Sequence, residues 1–264
     1  EMCDSDWSSD VCSSDLLKQY KRKNPDLIIG IGGCMMQTEE AANRIYEKHP
    51  HVDLIIGTHN FHKLPELLNN IENKNERIYE VWEEEQGLIP EIPSQRKSDY
   101  KAWVSIIRGC NNFCSYCIVP YVRGRERSRK PEDIIKEIKK LVDEGVKEIT
   151  LLGQNVNSYG KDLDRDIDFA SLLEKVDKIN NLKRIRYMTS HPRDFNQELI
   201  NTIKNSENVC EHFHLPVQSG STRVLKKMNR GYTRKEYINL VQSIRQAIPE
   251  SSITTDIIVG FPGE

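Results

Sequence analysis

The stretch PEDIIKEIKKLVDEGVKEITLL, residues 131–152, contains a helix, its stop and a strand. Pro131 suits the first turn, and Glu132 and Asp133 complement the helix dipole. Ile134, Ile135, Ile138, Leu141 and Val142 recur at helical spacing, and Gly145 ends the run. Glu148–Leu152 then reads as a strand. Working outward, strand signals recur at Ala102–Ile107, Arg184–Met188, Val209–Leu215 and Ile253–Val259, with helices filling the gaps. The clearest of these helices is Thr233–Ala247. There Thr233 and Glu236 are spaced for a capping box, and Tyr237, Leu240, Val241 and Ile244 form the buried stripe. Alternating strand and helix of this kind makes a parallel sheet, open or curled into a barrel. The fold class is α/β.

Upstream the pattern repeats on a smaller scale. Leu27–Ile31 reads as a buried strand, Gly32-Gly33-Cys34 as a sharp turn, and Thr38–Lys48 as a helix with Thr38 as candidate cap. Val52–Ile56 and Phe61–Ile71 read as a second strand and helix, a small parallel α/β unit with few strands, expected to be incomplete. The expected organisation is residues 17–82 for this unit, 83–99 for a Pro- and Glu-rich linker, and 100–264 for the larger domain, truncated at its C-terminal end. Residues 1–16 repeat Ser-Ser-Asp without a strand or helix period. They read as disordered, or as a non-native segment like translated adapter sequence, so Cys3 and Cys12 are not counted as ligands.

The chain has 264 residues, 37% of them hydrophobic and 30% charged, with 38 Lys+Arg against 40 Asp+Glu. That excludes a wholly disordered chain. No run approaches the ~18 apolar residues of a membrane span, and no secretory leader is visible. Near-neutral charge means that any nucleic-acid contact must rest on a local basic patch. Seven cysteines, three of them within eight residues, make a poor disulfide framework and read better as metal ligands in a reducing compartment.

Those three, Cys110, Cys114 and Cys117, form a C-x3-C-x2-C loop after the first strand of the larger domain. Thiolates suit a soft metal site, and chemistry in parallel α/β sheets sits at strand carboxyl ends. Structural zinc wants four protein ligands, whereas a [4Fe–4S] cluster with one open iron needs three. Both readings stand at this point, with the cluster favoured. Arg123, Arg125, Arg127 and Arg129 alternate through residues 122–130. In an extended stretch they would suit phosphates; otherwise they are a solvated charge run. Cys34, Cys210 and the pair His212 and His214 read, from the residues alone, as packing or satisfied polar groups.

C-x3-C-x2-C with Tyr116 before the last cysteine resembles the signature of radical S-adenosylmethionine (SAM) enzymes. Further runs narrow the likeness: Arg108-Gly109-Cys110, Ile118–Tyr121, Arg123–Arg129, Leu151–Gly160, Thr189–Pro192, His214–Ser221 and Asp256–Glu264. Together they resemble the methylthiotransferases, and within them the MiaB type, over roughly residues 20–264. The resemblance implies a partial (βα)6 barrel and a transferase that adds a methylthio group to carbon 2 of isopentenyladenosine beside the tRNA anticodon. Alternatives are action on threonylcarbamoyladenosine in tRNA, action on a ribosomal protein, or a zinc-bound nucleic-acid module without catalysis. The resemblance implies that Cys110, Cys114 and Cys117 hold the radical-generating [4Fe–4S] cluster. Cys34 would help hold a second, auxiliary cluster whose other cysteines are expected upstream. Gly153, Gln154, Asn155, Ser190, Gln218 and Gly260 would line the SAM pocket. tRNA and an electron donor such as flavodoxin or ferredoxin are the expected partners of a cytoplasmic monomer. No catalytic residue beyond these is assigned.

Overall fold

The computed structural model describes residues 9–74, 76–83, 96, 98–164 and 166–264. Most of the expected linker, and the first half of residues 1–16, therefore lie outside the described residues. The chain divides into two compact units: residues up to Pro93 together with Tyr121–Arg123, and Ser94–Pro120 together with Gly124–Glu264.

In the first unit a helix, α1 (Ser9–Lys23), runs through residues 9–16, where the sequence shows no helical period. From its last turn Lys21 ties it down: Nζ donates to both carboxylate oxygens of Asp53 at 2.6–2.7 Å and to Leu27 O at 2.8 Å. A three-stranded parallel sheet follows, in the order β1 (Gly30–Gly32), β2 (Leu54–Ile56), β3 (Ile78–Glu80). The helices α2 (Glu39–Lys48) and α3 (Leu64–Lys74) cover it. Side chains alternate across a strand. So Ile55 of β2 joins Ile29, Met36, Ala42, Ile45 and Val52 on one face, while Leu54 and Ile56 join Leu67 and Ile71 on the other. Thr38 stands at the head of α2, but its hydroxyl donates to Met35 O at 2.7 Å instead of capping the helix. The expected helix from Phe61 begins as a 3-10 turn (Phe61–Lys63) and becomes α-helical at Leu64.

In the second unit the parallel strands follow chain order. β4 (Lys101–Ser105) is joined to the short ribbon β5 (Ile107–Arg108) with β6 (Arg127–Ser128), and α4 (Val119–Val122) lies between those two in sequence. α5 (Pro131–Asp143) leads to β7 (Glu148–Leu152), α6 (Phe169–Asp177) to β8 (Arg184–Tyr187), and α7 (Gln197–Asn205) to β9 (His212–His214). α8 (Thr222–Lys227) and α9 (Arg234–Ala247) precede β10 (Ser252–Thr254). β7 pairs with β4 and β8, Val209 bridges Ile185 of β8, and β10 pairs with β9, all parallel. The unit is α/β, its parallel strands alternating with helices. A single core of 30 buried residues fills it, with Ile134 and Ile138 of α5, Ile149 and Leu151 of β7, and Phe213 of β9 fully enclosed.

The helix starts obey their sequence. Asp168, Asn196 and Thr233 each accept from a backbone N–H in the first turn, and Thr233 with Glu236 completes the capping box. The stripe of α9 is less buried than its spacing predicts: Ile244 is enclosed, while Tyr237 and Leu240 pack half-buried. The expected strand at 209–215 keeps only His212–His214 in the ladder, and that at 253–259 only Ser252–Thr254 plus a bridge from Ile257 to Gln218. His212 and His214 both reach Thr254 Oγ1, at 3.3 and 3.0 Å, as satisfied surface histidines do.

Candidate metal centre

The three cysteines leave the β5 end of the second unit on a loop closed at its neck by the β5–β6 pair. Gly109 opens the loop with φ +76°, and a Cβ there would collide with the carbonyl of Arg125. Only glycine satisfies both demands. Its N–H donates to Gln154 Oε1 at 2.7 Å, and Cys110 N–H donates to Gly124 O at 3.1 Å. Across the loop, Asn111 and Glu126 exchange backbone-to-side-chain bonds at 3.2 Å. Phe113 takes φ +47° and carries the Arg125 guanidinium over its ring at 4.9 Å.

The segment after α8 fastens the other side of the loop. Asn229 Nδ2 donates to Phe113 O at 2.9 Å and Asn112 O at 3.3 Å, and Ser115 donates from N–H and Oγ to Met228 O and Lys227 O. Arg230, 5% exposed, reaches Cys114 Sγ at 3.4 Å. Nothing in the spacing of the sequence points to this residue, which lies 116 positions beyond Cys114.

Cys110 and Cys114 are buried and Cys117 is half-buried. Burial pushes the Cys110 thiol up to about 11, with Glu126, Cys114 and Cys117 adding to the rise and the backbone N–H of Asn112 opposing it. Among the described residues, no three of His, Cys, Asp and Glu converge on one point as a single ion requires.

The expected pocket residues gather at the carboxyl ends of the strands. Gly153, Gln154 and Asn155 follow β7, Ser190 follows β8, Gln218 follows β9 and Gly260 follows β10. Asn155 Oδ1 and Ser190 Oγ are buried without a hydrogen-bond partner, as are both amide atoms of Asn157 and Nε2 of His191. Orphaned buried polar atoms are costly, and here they crowd one rim. Backbone strain collects there too, since Thr189 and Gln218 both take φ +66°. Burial alone would raise the Asp194 carboxyl, but Lys161 at 2.6 Å, Asn155 Nδ2 at 2.7 Å and Arg193 outweigh it and hold it low. Burial, with Arg230 close by, pushes the His191 imidazole down to about 3, so it is neutral at physiological pH.

The arginine run is less uniform than its alternation suggests. α4 covers Val119–Val122 and only Arg127–Ser128 is strand, so the run is not one extended stretch. Arg129 donates to Ser105 O at 2.7 Å and pairs with Glu137 at 2.7 Å. Arg123, grouped with the first unit, donates from Nε to Cys34 Sγ at 3.1 Å. Arg125 is exposed and Arg127 half-buried. In the first unit Cys34 ends β1 through Gly33, at φ +125°, and is half-buried.

The sequence profile of the Radical SAM superfamily matches residues 104–264, and the chain belongs to that superfamily. Within it, the chain is 58% identical over 248 residues to the tRNA-2-methylthio-N(6)-dimethylallyladenosine synthase of Desulforamulus reducens, covering 94% of this chain and 54% of that protein. The protein of that name from Natranaerobius thermophilus is 56% identical over 94% of this chain and 55% of its own length. The chain thus spans about half the length of these relatives. Among solved structures, the cobalamin-dependent SAM radical enzyme OxsB, with aqua-cobalamin and SAM bound, superposes with a TM-score of 0.63 at 13% identity. That match covers 95% of this chain and 39% of that one, and speaks for the fold alone. A [4Fe–4S] cluster and SAM are the cofactors of this superfamily. The residues present fit them: three thiols on one loop, and unpartnered buried polar atoms at the strand ends beside it.

Proposed function

We propose that this chain carries the radical half of a tRNA methylthiotransferase that modifies carbon 2 of isopentenyladenosine. The observation that carries the reading is the 56–58% identity, over 94% of the chain, to synthases named for that product. Cys110, Cys114 and Cys117 hold the [4Fe–4S] cluster. Bound together, cluster and SAM supply an electron and a carbon radical able to take hydrogen from a base carbon too weakly acidic for a side-chain base.

The protein's own residues bind and exclude. Asn155 Oδ1 and Ser190 Oγ offer unspent hydrogen-bonding capacity to the amino-acid or ribose end of SAM. Gln154, Gln218, Gly153 and Gly260 complete that wall. Cys34, with Arg123 on its sulfur, contributes to an auxiliary cluster. Arg125 and Arg127 contact tRNA phosphates, with Arg123 and Arg129 stiffening the segment behind them. A small redox protein such as flavodoxin or ferredoxin delivers the electron, and the enzyme works as a cytoplasmic monomer. Among the described residues no helix is long and apolar enough to cross a membrane.

The test is anaerobic reconstitution with iron and sulfide, then supply of methyl-labelled SAM with tRNA or with ribosomal protein to the full-length gene product. A brown protein that labels isopentenylated tRNA is expected. A colourless zinc protein, label in threonylcarbamoyladenosine tRNA, or label in protein would overturn the reading.

A further inference from the structure

Arg230 is a buried cation without an anion. The residue is 5% exposed, and the acceptors of its guanidinium are Cys114 Sγ at 3.4 Å, Tyr116 OH at 3.3 Å, Pro216 O at 3.0 Å and Tyr232 OH at 3.1 Å. None is a carboxylate, and among the described residues no carboxylate pairs with it. Burying a charge is expensive unless an opposite charge meets it. Arg129, largely enclosed in the same unit, obeys that rule by meeting Glu137 at 2.7 Å. Arg230 meets a thiol instead.

The fixing of this side chain is as uncommon as its burial. Tyr232 OH, which accepts from Nε, also lies 3.0–3.1 Å from Pro216 O and Val217 O, so the guanidinium plane is held from behind. Nη1 alone faces the cysteine loop, and it touches both a ligand, Cys114, and the tyrosine before the last ligand, Tyr116. The fork of an arginine can hold such a set of bonds; the point charge of a lysine cannot.

We propose that Arg230 is the positioning residue that sets the reduction potential of the cluster on this loop, through its bond to the Cys114 sulfur. The proposal rests on the assignment of that cluster to Cys110, Cys114 and Cys117. A cubane on three thiolates is an anion, and an added electron makes it more so. A fixed cation and hydrogen bond at one sulfur therefore stabilise the reduced form more than the oxidised one. Hydrogen bonds to cluster sulfurs and nearby charge are among the factors that set such potentials. The uncompensated charge is then no longer an anomaly, because the loaded loop is its counter-ion. Tyr116 and Tyr232 hold the donor in line.

The experiment is a potentiometric titration of the reconstituted chain, read by the EPR signal of the reduced cluster and needing no turnover. In Arg230→Gln the ratio of reduced to oxidised cluster at a fixed ambient potential should fall about tenfold, which is ~59 mV for a one-electron couple. Arg230→Lys, which keeps the charge and loses the fork, should fall by less, about threefold, and should release iron to a chelator faster than the parent. Tyr232→Phe should move the potential in the same direction by a smaller factor. An Arg230→Gln variant whose reduced-to-oxidised ratio stays within twofold of the parent would overturn the proposal. Should that variant not fold, a Lys variant with unchanged potential and chelation rate overturns it equally. A parent chain that gathers no iron would overturn the cluster assignment itself, and this inference with it.

Discussion

Each unit holds a cysteine whose sulfur receives an arginine N–H: Cys34 from Arg123 at 3.1 Å and Cys114 from Arg230 at 3.4 Å. The resemblance ends there. Among the described residues, half-buried Arg123 makes that one bond, whereas Arg230 is enclosed and makes four. Behind Cys34 lie two small core clusters of six and four residues; behind Cys114 lies one of 30. The contrast teaches that cysteine spacing marks out a loop, but the fixing of that loop depends on residues far along the chain. Rigid support is what a cluster loop needs if its geometry is to survive loading.

The largest effect should come from removing one thiol of each kind. Cys114→Ala should lose the reduced-cluster EPR signal altogether and with it the formation of 5′-deoxyadenosine from SAM. Cys34→Ala should leave that signal in place. Equal loss in both variants would break the contrast between the units.

Next come the cores. Ile138 and Ile45 are both fully buried, one in each unit. Truncation to alanine costs about 2–5 kcal/mol, the more so where the surroundings cannot collapse. Ile138→Ala should therefore fall at the upper end of that range and Ile45→Ala at the lower, as measured by urea unfolding. The reverse order would mean that the smaller unit is the more tightly packed.

A pH series sharpens the picture of the second unit's rim. His191 is held neutral down to about 3, while in the unfolded chain it takes a proton near 6.5. Below pH 6.5 the unfolded state thus binds the extra proton. The contribution of this residue is present in full above 6.5 and is lost as pH falls toward 3. Urea midpoints measured from pH 7 to 4 should decline less steeply in His191→Gln than in the parent. Parallel curves would show that the imidazole is not shielded.

The smallest effect concerns Arg125, which is exposed, and Arg127, which is half-buried. Arg125→Ala with Arg127→Ala should lower the log–log salt slope of tRNA binding by about two, roughly one per phosphate contact. Arg129→Ala, already committed to Glu137, should leave the slope unchanged and cost stability instead.

Much of this fold is legible in the sequence because its signals are local. α5, β7 and the capping box of α9 follow from spacing and end residues within a dozen positions. β3 escapes notice because Ile78-Tyr79-Glu80 is three residues long and alternates nothing; it is a strand only because Leu54–Ile56 lies beside it. α1 escapes because its first half is Ser- and Asp-rich, and what visibly holds it, Lys21 on Asp53, is 32 residues away. At the site, the cysteines and the strand-end amides are legible by type and place. Arg230 is not, since an arginine in a turn is solvated by default and only the tertiary fold encloses it. The arginine run errs the other way: alternation suggests a single strand, while α4 and the Glu137 pairing divide the residues among separate tasks.

The distance between Cys114 and its arginine along the chain has a consequence for synthesis. They are 116 residues apart, and the asparagine that holds Phe113 is as far away. A ribosome adding about 5–20 residues per second takes roughly 6–23 s to cover that interval. During it the cysteine loop can be closed by its near neighbours, Arg125, Glu126 and Gln154, but Asn229 and Arg230 do not yet exist. The fastening is therefore made in two stages, the second long after the thiols emerge.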